Sequence, residues 1–438
     1  MASSSYQQSH PSLLDKGLVK LQDLETCVAN VLRVKYRLDL FKNYYTDPAR
    51  ASILLDKKHL EAAKNIALQS AVLLQNTNKT LPISKTVKSI AVIGPLADDG
   101  FGHLGCWAPD GQGSDTITPL KYLQTTYPTI KLNIAKGFTD CRAQFTDLFA
   151  EAIAAAKASD VVLMFMGEDN NMSGEGNSRA NIGLPGLQEQ LIQLISLEKK
   201  PTVLVLNAGR SLILTHILPL VQSILYTWQL GTMAGPAIID LLFGVSVPSG
   251  KSPITFPRER GQIPLYYNKK NTGRPNNTHE YKPFTSSYID IDSTPLFTFG
   301  FGLSYTTFTY SVFKLSKKSI TYGETISASV VLKNEGTYIA DEVTMLFVRD
   351  LVGSYTRPVK ELKGFKRTSL KPGEFTTLTF VLSTDDLCFW TKKQEWKAEP
   401  GKFQVWIGGS ANATLTGEFD VTAAATNAEE EFEELMMQ

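Results

Sequence analysis

Apolar runs and helical repeats alternate along the chain between about residues 50 and 245. Short, almost wholly apolar runs predict strands at residues 90–93, 160–166 and 202–207, and helical spacing predicts helices at 58–74, 145–158 and 187–198. A strand without polar positions is covered on both faces, as in a parallel sheet between two layers of helices. We therefore predict an α/β sandwich domain over residues 47–310, with a mostly parallel sheet and helices on both faces. Its last part, from residue 245, is rich in Pro, Gly and aromatic residues and is expected to be a connector.

The apolar period changes to two in the last third of the chain. Between residues 326 and 332 apolar side chains stand at every second position. Further strands are predicted at 343–348, 375–382 and 403–407, with Pro-Gly turns at 371–373 and 399–401. This pattern predicts an all-β, immunoglobulin-like sandwich over residues 311–421. The glutamates at 429–431, 433 and 434 predict a solvated acidic tail over 422–438.

A helix in the first 46 residues has one strongly apolar side. Its stripe consists of Leu24, Cys27, Val28, Val31 and Leu32. The stripe either packs on the next domain or belongs to an interface with a domain outside this sequence. The N-terminal residues lack the basic and apolar regions of a secretory signal. As written, the chain is therefore expected to remain in the cytoplasm.

Composition and charge exclude several classes of function. With 44 basic and 43 acidic residues the net charge is +1, so neither nucleic acid nor an anionic membrane is expected as a partner. The apolar runs are also too short to cross a bilayer. The four cysteines and five histidines lack the spacing of a zinc site, and no metal is expected.

Residues 100–105 match the dinucleotide-binding pattern G-x-G-x-x-G. However, they lie beyond the predicted strand and precede a segment with Pro109 that cannot open a helix. No cofactor is therefore expected.

A long polar loop over residues 167–179 follows the predicted strand 160–166, where parallel sheets place functional groups. Glu175 stands between two glycines, which suits a carboxylate that must reach a leaving-group oxygen as a general acid. Arg179 is a candidate to hold the loop by pairing with a carboxylate, and Glu168, at the strand end, is expected to anchor it. The alternative is a solvated loop without catalytic function.

A general acid usually works with a second catalytic group, and no residue of this sequence stands out as that partner. If the reaction were retaining hydrolysis of a glycosidic bond, the partner would be a carboxylate roughly 5–5.5 Å from the acid/base. Trp107, in the loop after the first predicted strand, is a candidate for stacking on a sugar ring. A tryptophan that caps the core is equally consistent with this position.

Several stretches resemble glycoside hydrolase family 3, the family of periplasmic-type β-glucosidases. They are Ala71-Val72-Leu73-Leu74-Gln75-Asn76, Ile93-Gly94-Pro95-Leu96-Ala97-Asp98, Ser173-Gly174-Glu175-Gly176-Asn177-Ser178-Arg179, Asn271-Thr272-Gly273-Arg274-Pro275, Phe299-Gly300-Phe301-Gly302-Leu303-Ser304-Tyr305 and Arg357-Pro358-Val359-Lys360-Glu361-Leu362. In family order, the similar stretches cover nearly all of residues 20–421. The resemblance implies an α/β sandwich domain followed by a fibronectin type III-like domain.

The resemblance also implies a division of the catalytic groups. Glu175 matches the position of the general acid/base of a retaining β-glucosidase, which hydrolyses O-glycosyl bonds at the non-reducing end of β-glucosides or oligosaccharides. The nucleophilic aspartate and a Lys-His pair that grips the sugar belong to an N-terminal (β/α)8 barrel, which is not in this sequence. Residues 1–46 then correspond to the end of that barrel and a linker. A separately encoded barrel is the implied protein partner, and the chain alone is expected to be inactive.

One departure from the family pattern concerns the segment after Trp228, where a glutamate is usual and Met233 stands here. Loss of a buried carboxylate would change local packing or hydrogen bonding. Three hypotheses follow for the chain as a whole. It is part of a hydrolase, a non-catalytic carbohydrate-binding or scaffold protein, or a truncated and inactive remnant.

Overall fold

A computed structural model describes residues 4–276 and 280–423. The predicted acidic tail lies outside the described residues except for its first two positions. The chain divides into two compact units, Met1–His59 and Leu60–Gln438. No helix in the described part is both long and apolar enough to cross a membrane.

The first unit is helical. It contains α1 (Ser5–Asp15), α2 (Leu21–Arg37) and the first turn of α3 (Lys57–Ser70). Asp23 accepts a hydrogen bond from the backbone N–H of Lys20 and so caps the start of α2. The apolar stripe predicted on this helix is present and faces solvent, with Val28 55%, Val31 57% and Leu32 45% exposed.

The second unit begins with a six-stranded sheet, counted within the described residues. Its strands are β1 (Val72–Asn76), β2 (Ser89–Ile93), β3 (Lys131–Ala135), β4 (Val161–Gly167), β5 (Thr202–Asn207) and β6 (Ser223–Tyr226). The helices between and after them are α4 (Gly100–Leu104), α5 (Pro119–Thr126), α6 (Phe149–Lys157), α7 (Gln188–Ser196) and α8 (Ala234–Leu242). The strand order is β1-β6-β5-β4-β2-β3, with β1 antiparallel to β6 and the other neighbours parallel.

Both faces of this sheet are buried, and the side chains of β4 show how. Met164 and Met166 join a cluster with residues of α6 and α7, whereas Leu163 and Phe165 join a second cluster with residues of α8. Because successive strand residues point to opposite faces, a run apolar at every position fills both clusters. Each large side chain buried in this way contributes about 1.5–3 kcal/mol. The predicted α/β sandwich is confirmed.

One predicted helix is wrong at its end. Residues 72–74, which the sequence prediction included in the helix 58–74, form the start of β1. The helix ends at Ser70 because Val72, Leu73 and Leu74 are each at most 2% exposed and need cover on two opposite faces. A strand between two layers provides that cover, and a surface helix does not. The predicted helix 145–158 likewise begins only at Phe149.

The C-terminal part is a β-sandwich. Its strands are β7 (Phe308–Leu315), β8 (Ser319–Thr321), β9 (Thr325–Asn334), β10 (Ala340–Asp350), β11 (Glu361–Leu370), β12 (Phe375–Ser383), β13 (Phe389–Trp390), β14 (Trp396–Lys397), β15 (Gly401–Gly408) and β16 (Leu415–Thr422). The two main sheets have the orders β11-β10-β15-β16-β8 and β12-β9-β7. The alternating residues Ile326, Ala328 and Val330 lie in the core with Phe403 and Phe419. The predicted sandwich class is confirmed.

The connector between the two parts is held by aromatic packing and short bridges. Phe256 pairs with Phe297 in an isolated β-bridge. Tyr267 stacks on Phe299 with ring centroids 4.2 Å apart, and both rings pack edge-on against Phe347 of β10. The connector therefore shares a hydrophobic cluster with the sandwich. The domain limits 47–310 and 311–421 stay predictions.

Candidate active site

The polar loop after β4 lies at the C-terminal edge of the sheet, beside the segment that follows β5. Gly167, the last residue of β4, has φ 124°, and a Cβ there would lie 2.0 Å from the carbonyl oxygen of Asn207. Only glycine therefore permits the two strand ends to approach so closely. The next residue also contacts the end of β5, because the Glu168 N–H donates to the Asn207 carbonyl at 2.7 Å.

Glu168 is fully buried and lies between two arginines. Arg179 donates to Oε1 of Glu168, and Nε of Arg210 lies 2.9 Å from Oε1 and 3.1 Å from Oε2. The side-chain amide of Asn207 donates to the Glu168 carbonyl at 3.0 Å. Charge-assisted hydrogen bonds from two guanidinium groups offset the cost of burying a carboxylate. This arrangement fixes Glu168 and leaves it unsuited to move toward a substrate.

The same two arginines tie the loop to the sheet edge. Arg210 also donates to the carbonyls of Met172 and, at 2.9 Å, Asn177, while Arg179 donates to the carbonyl of Gly183 at 3.0 Å. Both halves of the loop are thereby attached around Glu168. We call Glu168, Arg179 and Arg210 the arginine clamp.

Arg210 was missed in the sequence analysis, although a signal was present. It comes three residues after β5 and so lies at the same edge of the sheet as Glu168. Parallel sheets place functional groups just after the C-terminal ends of their strands, and this holds for the residues after β5 as well as for the loop after β4. The Tyr226 hydroxyl donates to the Arg210 carbonyl, and burial together with the charge of Glu168 raises the pKa of Tyr226.

Glu175 lies at the tip of a tight turn within the loop. The N–H of Asn177 donates to the Gly174 carbonyl at 3.1 Å, and Gly176 has φ 77°, the left-handed conformation that such turns favour in a glycine. The Glu175 side chain is exposed. It makes no hydrogen bond or ion pair with any residue that the structure describes. Of the loop carboxylates, it is the one left available to a ligand.

The other carboxylates of the loop are engaged. Glu168 belongs to the arginine clamp, and Oδ1 of Asp169 pairs with Arg142 at 2.9 Å. Both carboxylates are therefore held in place by arginines. Across residues 4–276 and 280–423, no group of three or more His, Cys, Asp or Glu residues has the arrangement of a metal site.

Trp107 lies beside the turn that carries Glu175. A Cβ built on Gly174 would be 2.4 Å from the Cys106 sulfur and 3.7 Å from Cε2 of Trp107. Gly174, with φ 101°, is thus packed directly on this pair. Trp107 is 71% exposed, so it does not cap the core. The structure brings an exposed aromatic residue and a carboxylate that has no partner among the described residues to one surface.

Met233 lies in the short 3₁₀ helix Gly231–Met233, just before α8, and is partly buried. A thioether at this position needs no hydrogen-bond partner. Gln229, four residues before Met233, donates to the Ser173 hydroxyl at 3.4 Å. The segment that precedes Met233 therefore contacts the loop that carries Glu175.

Comparison with models of known protein families identifies the family of this chain. The Glycosyl hydrolase family 3 C-terminal domain matches residues 71–305, and the Fibronectin type III-like domain matches residues 342–411. The first match alone covers more than half of the chain. The chain belongs to glycosyl hydrolase family 3. The resemblance inferred from the sequence motifs is confirmed, together with the order of the two domains.

Individual relatives agree with this family assignment. The periplasmic beta-glucosidase of Salmonella typhimurium is 38% identical over 448 residues, covering 96% of this chain and 58% of the relative. A beta-xylosidase of Formosa agariphila is 36% identical, covering 92% and 56%. The crystal structure of a beta-glucosidase from Listeria innocua in complex with glucose superposes with a TM-score of 0.88 at 33% identity, covering 96% and 58%. The chain thus spans under two thirds of the length of these family 3 proteins.

Proposed function

We propose that this chain supplies the general acid/base, Glu175, to a retaining β-glycosidase. The observation that carries the proposal is the state of Glu175, an exposed carboxylate without a partner in the described residues, on a glycine turn. The arginine clamp attaches both halves of the loop, so the turn is held while its tip stays accessible. A general acid must come within hydrogen-bond reach of the leaving oxygen, and this geometry suits that task.

The proposed reaction requires a nucleophile from outside these 438 residues. A carboxylate of a (β/α)8 barrel attacks the anomeric carbon, the glycosidic C–O bond breaks, and Glu175 gives its proton to the departing oxygen. Glu175, now a carboxylate, then takes a proton from the water that releases the sugar. In this scheme Glu168 and Arg179 position the loop, and Trp107 stacks on a sugar ring beside Glu175.

The names of the relatives support a substrate class. Their names include beta-glucosidase and beta-xylosidase, so we propose β-linked glucosides or closely related oligosaccharides, cleaved from the non-reducing end. The barrel is supplied by another polypeptide segment. A purely carbohydrate-binding role remains the second hypothesis, because an exposed Trp107 also suits binding without hydrolysis.

The test is to assay the chain alone and after mixing with the barrel of a family 3 relative. We expect no hydrolysis of an aryl β-glucoside by the chain alone, because most of the transition-state stabilisation lies on the barrel. Mixing should restore turnover. Enzyme-like turnover by the chain alone, abolished in Glu175→Ala, would contradict the division of catalytic groups, and binding of sugars without restored turnover would favour the second hypothesis.

A further inference from the structure

A cavity of about 510 Å³ lies between the connector and the sandwich. This volume is typical of small-molecule sites. Its lining includes Tyr266, Tyr267, Lys269 and Asn271 from the connector and Arg349, Lys360, Trp406 and Asn412 from the sandwich. None of the described lining residues belongs to the Glu175 loop or the arginine clamp. The cavity is therefore a different place from the candidate active site.

The charge of this cavity is unbalanced. Lys269, Arg349 and Lys360 line it, and within the described part of the chain no Asp or Glu does. The acids that follow Arg349 and Lys360 in sequence are engaged elsewhere. Asp350 and Glu361 both face Arg357, at 3.8 and 3.0 Å. Among the residues that the structure describes, the cations on the wall thus have no carboxylate of their own.

Arg349 is the least compensated of these cations. Its Nε is buried without a hydrogen-bond partner, and its guanidinium forms no ion pair with the described residues. Arg349 follows Val348, the last residue of β10 that pairs with β11, and Lys360 precedes its partner Glu361. Both cations line the same cavity, and a buried donor without an acceptor costs free energy. A structural role alone does not account for this arrangement.

Lys360 is held at a fixed point of the wall. Its ammonium donates to the carbonyls of Ala411 at 2.6 Å and Ala413 at 3.3 Å, and lies 4.6 Å from the centre of the Trp406 ring. Burial lowers the pKa of Lys360 to about 8, which agrees with the lack of a negative partner. Two of its three N–H donors are used, so one remains for a ligand.

We propose that this cavity binds a small molecule through a carboxylate or phosphate group, with Arg349 as its main contact and Lys360 as the second. A guanidinium presents a planar set of donors that matches either oxyanion. The aromatic rings and the Asn271 and Asn412 amides around it suit a polar organic body such as a sugar. The inference is independent of the role proposed for Glu175.

The experiment measures binding by titration calorimetry to the full chain at constant ionic strength. The probes are inorganic phosphate, glucose 6-phosphate and glucuronate, with glucose as the neutral control. We expect saturable binding of a charged probe and none of glucose. Binding of both phosphates but not glucuronate would assign a phosphate group, and binding of glucuronate but not the phosphates would assign a carboxylate.

Substitution separates this site from general charge effects. Arg349→Gln should weaken binding by about tenfold or more, because a charge-assisted hydrogen bond is lost. Arg260→Gln, at an exposed arginine outside the cavity, is the matched control and should bind as the parent chain does. Without added anion, Arg349→Gln should unfold at the same or a higher temperature than the parent, since it removes an unpaired cation.

Three results would overturn the proposal. The parent chain binds none of the charged probes saturably, Arg349→Gln binds them as tightly as the parent, or Arg349→Gln unfolds at a clearly lower temperature than Arg260→Gln in anion-free buffer. The last would mark Arg349 as a residue that stabilises the fold.

Discussion

Glu168 and Glu175 stand seven positions apart in one loop and have opposite surroundings. Glu168 has no exposed surface and accepts from two arginines, whereas Glu175 is exposed and unpaired in the described structure. The glycines at 167, 174 and 176, all at positive φ, permit this difference within a short segment. The Glu168 carboxylate holds the loop in place, and the Glu175 carboxylate is available to a ligand.

The arginine clamp predicts a large stability effect at one residue. Arg210→Gln should lower the free energy of unfolding by about 3 kcal/mol, because it leaves a buried carboxylate with one cation instead of two. Arg142→Gln is the matched control. It breaks the Arg142–Asp169 pair, whose arginine is 54% exposed, and should cost at most about 1 kcal/mol. Urea unfolding measures both, and equal small losses would show that the clamp adds little.

At the scale of elements, buried strands were predictable and edge strands were not. The predicted strands 90–93, 160–166 and 202–207 agree with β2, β4 and β5 to within one residue, because full burial on both faces leaves an unbroken apolar run. The edge strand β3 carries exposed Lys131 and partly exposed Asn133, so it lacks that run. The pairing of Arg179 and Arg210 with Glu168 depends on contacts between distant segments, which spacing alone does not contain.

The exposed apolar stripe of helix α2 leads to a prediction about binding. Its exposed stripe is proposed to pack on the family 3 barrel, so Val31→Ser should weaken binding of a barrel supplied as a separate protein by about tenfold, the value of burying one Val side chain. Val381→Ser, at a 62% exposed valine in β12, is the control. Calorimetry or sedimentation measures both affinities. If Val31→Ser and the parent chain bind the barrel equally, the stripe is not the interface.

At the scale of the whole molecule, the chain joins an α/β domain that carries the candidate site to a β-sandwich through the connector. The α/β domain presents Glu175 and Trp107 on one surface, and the connector fastens the sandwich through Tyr267, Phe299 and Phe347. About 42% of the length of these relatives lies outside the part that this chain matches, since that part is 58% of the first relative and of the Listeria innocua structure. We propose that the nucleophile belongs to that remaining portion.

The central claim is that Glu175 protonates the leaving group, and substrates with different leaving groups test it most directly. In the chain assembled with a family 3 barrel, Glu175→Gln should slow hydrolysis of a disaccharide about 10²–10⁴-fold. It should slow cleavage of an activated aryl glucoside far less, because that leaving group needs little protonation. Glu168→Gln, which disturbs loop position, should slow both substrates to a similar extent. Equal losses on both substrates in Glu175→Gln would contradict the assignment of Glu175 as the acid/base.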